Sequence, residues 1–282
     1  MTEPSFPNRV PVSAMVFTLD EELHLPSCLA ALAWTDDVIV VDSFSKDRTE
    51  AIARASGARF YQHAFEGFGK QRNWALENTE PRYEWILILD ADERVTPELA
   101  REMQRILPST AQDVAAFRVK RRFHMWGRWL RRSNLYPSWV VRLVRKGRVR
   151  YVNRGHAETQ EVSGRVLDLE NDLIDENVKG LDEWFEWQNR YSTKEAEFEL
   201  QEEGAKASWS GVLSADPLAR RASIKRVASR LPFRPVLYFV YSYFLRGGFL
   251  EGRDGLVFCL MKLQYQRMIV IKKHDLRRRG TS

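Results

Sequence analysis

The stretch Trp85-Ile86-Leu87-Ile88-Leu89-Asp90-Ala91-Asp92-Glu93 constrains this chain more than any other. A short apolar run of this kind reads as a buried strand. It stops abruptly at two carboxylates spaced i, i+2. Side chains two apart on a strand point the same way, so Asp90 and Asp92 can converge on one hard cation at the strand's C-terminal end. Open α/β sheets bind their ligands at that edge. A divalent ion held by one or two carboxylates, with substrate phosphates in its other positions, is the usual Mg²⁺ arrangement. An isolated pair at a strand end is more often a solvated turn, so the surroundings decide.

Those surroundings repeat the pattern. Val10 to Phe17 reads as a first buried strand, followed by the loop Thr18-Leu19-Asp20-Glu21-Glu22 and a helix from Leu25 to Ala33. Asp37-Val38-Ile39-Val40-Val41-Asp42 is a second strand, again ending in a carboxylate. The polar turn from Ser43 to Thr49 holds helix N-cap candidates. Thr49 to Ser56 is helical, Ala58 to Gln62 a third strand, and Gly67 to Glu77 a Gly-rich entry with a helix. Trp85 to Leu89 is the fourth strand. This alternation predicts a parallel, doubly wound sheet. Thr18/Asp20, Asp42 and Asp90/Asp92 then share one rim, a crevice for a nucleotide.

Beyond Ala115 the pattern changes. Ala116 to Lys120 and Trp139 to Val144 read as strands around a loop dense in Phe123, His124, Trp126, Trp129, Arg131, Arg132 and Tyr136. Gly155-His156-Ala157-Glu158 closes this portion. Leu181 to Leu200 is helical, with Trp184, Trp187 and Tyr191 as a packing stripe.

The last part of the chain is basic. Residues 216–282 hold fifteen Lys or Arg against four Asp or Glu, a net of +11 in a chain of +6, so residues 1–215 carry −5. A basic, aromatic-rich tail on an acidic body suits an anionic surface. Ser210-Gly211 and Ala215-Asp216-Pro217 read as a linker. Ile224, Val227, Ala228 and Leu231 then fall at helical spacing, with Arg220, Arg221, Lys225, Arg226 and Arg230 elsewhere on a basic amphipathic helix. The apolar run Val236 to Leu245 is too short to cross a bilayer, which needs roughly 20 residues. Leu256 to Ile271 contains Lys262 and Arg267. The tail therefore reads as an interfacial surface, with Tyr238, Phe239 and Tyr243 inserting and the basic residues meeting anionic headgroups. An oligomer interface through these helices is the other reading. No nucleic-acid motif is visible, and the acidic body argues against that partner. Cys28 and Cys259 lack ligand-like spacing, which points to a reduced compartment and no structural zinc. The N-terminal residues lack the pattern of a secretion signal.

Taken together, four motifs resemble the family-2 glycosyltransferases of GT-A fold, above all bacterial enzymes of lipopolysaccharide-core or surface-polysaccharide synthesis. They are Thr18-Leu19-Asp20-Glu21-Glu22, Val41-Asp42-Ser43-Phe44-Ser45-Lys46-Asp47-Arg48-Thr49, Gly67-Phe68-Gly69-Lys70-Gln71-Arg72-Asn73 and Leu89-Asp90-Ala91-Asp92-Glu93. Tyr136-Pro137 with Arg142-Leu143, His156-Ala157-Glu158 and Asn189-Arg190-Tyr191-Ser192 carry a weaker likeness. Two positions depart from the pattern. The family usually has Asn where this chain has Asp20, and some relatives have an acidic residue where it has Ser138.

The resemblance implies an α/β, Rossmann-like, mostly parallel central sheet with flanking helices and a helical basic C-terminal extension. Residues 1–115 would be the nucleotide-sugar-binding half, 116–206 the acceptor-binding half and 207–282 the membrane-associating tail. The implied activity is inverting transfer of a sugar from a nucleoside diphosphate donor, with UDP favoured. The acceptor would be a lipid-linked or lipid A-core saccharide at the inner face of the cytoplasmic membrane. Mn²⁺ or Mg²⁺ on Asp92 and Asp90 would act as a Lewis acid on the leaving diphosphate. Asp42 would contact the nucleobase or ribose. Thr18, Asp20, Glu21, Ser45, Asn73 and Ala91 would line the donor pocket, and Lys70 and Arg72 would contact the diphosphate. Glu158 is the candidate base, with Asp175 and its neighbour Glu176 as runners-up. Trp126, Tyr136, Arg142 and His156 would meet the acceptor. Two alternatives stand beside this reading. A sugar nucleotidyltransferase should carry a Gly-rich, Arg/Lys-containing signature after its first strand, where this chain has Thr18 to Glu22. A catalytically degenerate carbohydrate-binding or scaffold protein would bind nucleotide without turnover.

Overall fold

The computed structural model describes residues 9–154, 157–201 and 233–280, with a few positions between 213 and 231. Strands β1 (Val12–Thr18), β2 (Val38–Asp42), β3 (Arg59–Gln62) and β4 (Trp85–Asp90) are parallel and lie in the order β3-β2-β1-β4. Helices α1 (Leu25–Ala30), α2 (Thr49–Ala55) and α3 (Phe68–Asn78) alternate with them. This is the doubly wound half that the apolar runs predict. Apart from the half-buried Val38, the aliphatic residues of β1, β2 and β4 are buried on both faces, as central parallel strands require. Val12, Ala14, Val16, Val40, Leu87 and Leu89 meet Leu25, Leu32 and Trp34 in the core.

After β4 the sheet becomes mixed. Strand β5 (Glu93–Val95) leads into α4 (Pro97–Ile106), whose first turn is capped by Thr96 Oγ1 accepting from Leu99 N–H at 3.2 Å. Strands β6 (Val114–Met125), β7 (Arg128–Trp129), β8 (Ser138–Arg145) and β11 (Arg165–Glu176) complete the sheet in the order β3-β2-β1-β4-β8-β6-β11-β5, with β7 on β6. Strands β9 (Val149–Arg154) and β10 (Ala157–Val162) pair separately. β8 runs antiparallel to β4, β11 parallel to β6, and β5 antiparallel to β11.

β11 is the element that the sequence hid. Asp168, Glu170, Asp172, Asp175 and Glu176 are poor strand formers. The partner strand compensates on one face, where Arg118 meets Asp168 at 2.5 Å and Arg122 meets the buried Asp172 at 2.6 Å. Buried Leu169 and Leu173 anchor the other face.

The chain divides into two compact units. Residues up to Trp129, Val140–Asn153 and Ala157–Val178 form one; Leu130–Trp139 and the described residues from Lys179 onward form the other. The second unit is helical, with α5 (Leu181–Gln201), α6 (Arg234–Val240) and the long α7 (Gly252–Gly280). A π turn (Tyr241–Leu245) and a 3₁₀ turn (Gly248–Glu251) connect α6 to α7. Arg234 and Glu199 form a buried ion pair at 2.6 Å. Glu251 accepts the N–H groups of Arg132 and Ser133 at 2.6 and 2.9 Å. Trp187 stacks on Tyr191 at 5.6 Å, in keeping with a packing stripe. The linker expected at 210–217 and most of the amphipathic helix, including Arg221, Lys225, Arg226 and Arg230, lie outside the described residues; Arg220 is described as exposed. Among the described residues no helix is long and apolar enough to cross a membrane.

Candidate active site

The register of the parallel strands builds the rim. Thr18 stands beside Asp42 across β1 and β2, and Phe17 beside Asp90 across β1 and β4. The C-terminal ends of three neighbouring strands therefore carry Thr18, Asp42 and Asp90 side by side.

Asp42 is buried and organises the loop after β2. It accepts Thr18 Oγ1–H and Ser45 N–H, each at 2.8 Å, and also the Ser45 hydroxyl. Asp20 sits in the left-handed region with φ 54°, its N–H donating to Ser45 Oγ at 2.8 Å and its Oδ1 accepting Lys46 N–H at 2.7 Å. Asn and Asp are the side chains that tolerate that backbone best. The exchange of Asn for Asp20 therefore keeps the loop's geometry. Glu21 donates its N–H to Thr49 Oγ1 at 2.8 Å, and its carboxylate meets His24 Nδ1 at 2.6 Å. His24 in turn accepts Val178 N–H on Nε2 at 2.8 Å, which ties this loop to the chain just past β11.

The Asp90 carboxylate is held by two guanidinium groups, Arg72 at 2.7 Å from α3 and Arg142 at 2.5 Å from β8. Arg72 is itself buried, with Phe17, Phe68 and Tyr151 rings 5.5, 5.8 and 5.6 Å from its guanidinium carbon. Burial alone would raise the Asp90 pKa, but Arg142 and Arg72 outweigh it and hold this carboxyl well below the usual range. Glu93 is fully buried one step further in. It accepts Asp90 N–H at 3.0 Å and Arg142 Nη2–H at 2.7 Å, with Arg121 at 3.6 Å. Arg121 reaches on to Asp175 at 3.1 Å. An alternating row of charges, Arg72, Asp90, Arg142, Glu93, Arg121 and Asp175, thus crosses β4, β8, β5, β6 and β11.

Asp92 is the exception in this row. Among the described residues, its side chain has no hydrogen bond or ion pair. Burial and the negative charges of Asp175, Asp90, Glu93 and Glu21 push its pKa well above the ordinary carboxylate value. A carboxyl in that field is stabilised by an added cation. No three His, Cys, Asp or Glu side chains among the described residues form a ready-made metal cage. A Mg²⁺- or Mn²⁺-type ion takes most of its ligands from substrate phosphate. The Asp92 carboxyl has the hard oxygen chemistry and the negative surroundings that fit such an ion.

The remaining expected site residues are distributed as follows. Lys70 is exposed and pairs with Glu66 at 2.9 Å. Asn73 brackets the Tyr151 backbone with two hydrogen bonds of 2.8 Å. Ala91 is buried within the turn. Trp126 is exposed at the tip of the β6–β7 hairpin, with φ 54°. In the other unit, Tyr136 lies under the Arg131 guanidinium at 5.8 Å. Glu176 pairs with Arg94. His156 and the Glu158 side chain lie outside the described residues.

Sequence reading missed Glu93, Arg121 and His24. Arg121 had a signal, since it falls in phase with buried Phe117 and Val119 on β6, where period 2 demands an apolar residue. Glu93 was visible in the motif but carried no cue to its burial.

The sheet edge with this acidic turn, backed by buried arginines, belongs to a glycosyltransferase of GT-A fold, an enzyme class whose donors are nucleotide sugars. The sequence pattern of glycosyl transferase family 2 matches residues 13–166, and the chain belongs to that family. It is 27% identical to the lipopolysaccharide core biosynthesis glycosyltransferase LpsC of Rhizobium meliloti, over 92% of this chain and 93% of that one. It is 28% identical to an uncharacterized glycosyltransferase of Rickettsia bellii, over 87% of this chain and 80% of the relative. Among solved structures, the mannosyltransferase PcManGT of Pyrobaculum calidifontis, in complex with GDP-Man and Mn²⁺, superposes with a TM-score of 0.51. That match has 14% identity and covers 95% of this chain and 88% of the other. It bears on the fold.

Proposed function

We propose that this enzyme transfers a sugar, with inversion, from a nucleoside diphosphate donor to a hydroxyl of a lipid-linked or lipid A-core saccharide. UDP is the favoured donor base. The reading of the acceptor leans on the likeness to LpsC along nearly the whole of both chains. The observation that carries the donor chemistry is the Asp92 carboxyl just past the end of β4, without a partner among the described residues, while Asp90 beside it is bound by Arg72 and Arg142.

In this reading the acceptor oxygen attacks the anomeric carbon, and the bond from that carbon to the diphosphate oxygen breaks. The nucleoside diphosphate leaves with the electron pair, and the hydroxyl proton passes to a carboxylate. Asp175 is engaged by Arg121, so the base role goes to Glu158 on β10. A Mn²⁺ or Mg²⁺ ion on Asp92 would supply Lewis-acid stabilisation of the leaving diphosphate, and PcManGT is a fold neighbour complexed with Mn²⁺. Asp42 and the Thr18 loop would receive the nucleoside, Asp90 would keep its arginines aligned along the diphosphate, and Trp126 would stack on a sugar ring. The site of action would be the inner face of the cytoplasmic membrane, where the basic C-terminal residues would hold the enzyme as a peripheral protein.

The test is release of nucleoside diphosphate from a panel of nucleotide sugars, with and without a deep-core lipooligosaccharide. The expected result is acceptor-dependent release that Glu158→Gln abolishes while donor binding persists. Formation of nucleotide sugar from a nucleoside triphosphate and a sugar phosphate would instead establish a nucleotidyltransferase. Binding without turnover on any acceptor would establish a scaffold.

A further inference from the structure

Helix α6 and the π turn after it form one rod with two unlike sides. Val236, Val240 and Phe244 are spaced four apart, as are Leu237, Tyr241 and Leu245, and all six are exposed. Residues spaced in this way share one face. The inner side is committed. Arg234 is buried on Glu199, and the Ser242 hydroxyl donates to Tyr238 O at 2.9 Å. Phe239 stacks on Tyr243 at 5.3 Å. The half-buried Tyr238, Phe239 and Tyr243 therefore form the platform, and the outward residues are a different set.

The chain then turns back tightly. Gly247 takes φ 74°, a conformation that favours glycine. A Cβ on Gly248 would lie 2.8 Å from Ser242 O, so the returning backbone packs directly against the rod. Phe249 lies against Tyr243 with ring centroids 6.2 Å apart, and Tyr243 against Phe244 at 5.0 Å. Leu245 is 75% exposed and Leu250 58%. Phe244, Leu245, Phe249 and Leu250 together make an exposed apolar knob, of the kind that marks an interaction surface.

The charge balance of this stretch of chain points to the partner. Residues 233–280 hold ten Lys or Arg against three Asp or Glu. One of those acids, Glu251, is buried and taken by the Arg132 and Ser133 N–H groups. Arg253 is exposed next to the knob. A second copy meeting this face would bring like charges together. An anionic lipid surface brings opposite ones. The segment is also too short to span a bilayer.

We propose that the knob formed by Phe244, Leu245, Phe249 and Leu250, with the stripe Val236, Leu237, Val240 and Tyr241, inserts into the headgroup boundary of an anionic bilayer. The basic residues of α7 add attraction to anionic headgroups. This deepens the proposed function by naming the docking face, and it rests on the reading of a membrane-displayed acceptor.

The test uses the full chain, plain phosphatidylcholine vesicles, and phosphatidylcholine vesicles containing about a third phosphatidylglycerol. The wild-type protein should co-sediment with the anionic vesicles, and the double variant Leu245→Ser, Phe249→Ser should lose at least ~10-fold in partitioning. Both side chains are exposed, so an unchanged melting temperature and unchanged UDP binding control for folding. Equal sedimentation of variant and wild type would overturn the proposal. So would a wild type that stays in the supernatant, or one that is a dimer in ultracentrifugation and becomes monomeric in the variant. The vesicles carry no saccharide, so a failure here leaves the transfer reaction standing. Conversely, vesicle binding by a protein with no transferase activity would refute only the acceptor reading.

Discussion

Asp90 Oδ2 and Arg142 Nη2 lie 2.5 Å apart, joining the acidic turn after β4 to the neighbouring antiparallel strand β8. Arg142 also serves Glu93 at 2.7 Å, so one guanidinium neutralises two carboxylates. Removing it would leave Asp90 with Arg72 alone and Glu93 with only the more distant Arg121, so part of their burial cost would go uncompensated. Arg142→Ala should therefore lose about 3–5 kcal/mol of stability in urea unfolding, the usual cost of breaking a buried pair. In the Asp90→Asn background the loss should be smaller, because one of the stranded charges is gone. A stable Arg142→Ala protein with only a raised acceptor KM would mean that Arg142 serves the acceptor and not the turn.

Asp92 carries the opposite imbalance. Its pKa is raised by burial and by Asp175, Asp90, Glu93 and Glu21. A carboxyl whose folded pKa exceeds its unfolded value is bound to its proton more firmly in the folded state. Its contribution to stability therefore falls as pH climbs from the unfolded value, about 4, through the raised folded value. In the absence of metal, Asp92→Asn should be more stable than wild type at neutral pH, and its stability should decline less with pH across that window. Thermal unfolding in EDTA at several pH values measures this. A variant that is destabilised at neutral pH would show that Asp92 has a cationic partner after all.

The loop after β1 offers a cleaner separation of charge from backbone. Asp20 occupies φ 54°, and its Oδ1 accepts Lys46 N–H at 2.7 Å. Asp20→Asn keeps both features and should leave stability within about 0.5 kcal/mol. Asp20→Val loses both, and should cost at least about 1–2 kcal/mol from the left-handed backbone alone. Calorimetric melting of the two variants is the check, and equal losses would refute the conformational role.

The parallel half of the fold was legible because its strands are buried on both faces and read as uninterrupted apolar runs. Trp85 to Leu89 and Val38 to Val41 could be little else. Helix ends were less legible, and α1 stops at Ala30 where its pattern continues to Ala33. β11 was illegible for a specific reason. Its acidic residues deny strand propensity, and the compensating basic residues Arg118 and Arg122 lie about fifty positions earlier on β6. Long-range pairing of this kind leaves no local trace. The site shows the same division. Asp42, Asp90 and Asp92 were visible as strand-end carboxylates. The roles of Arg72 and Arg142 as clamps on Asp90, and the burial of Glu93 between Arg142 and Arg121, depend on which strands become neighbours across the sheet.

The most direct measurement is a calorimetric titration of UDP into wild-type protein and into Asp92→Asn, each with Mn²⁺ and with EDTA. Wild type should bind UDP much more tightly with Mn²⁺ than with EDTA. Asp92→Asn should lose that difference while its fold persists. UDP affinity that ignores Mn²⁺ in wild type, or a Mn²⁺ effect that survives in Asp92→Asn, would contradict the assignment of Asp92 as the metal-binding carboxylate of the donor site.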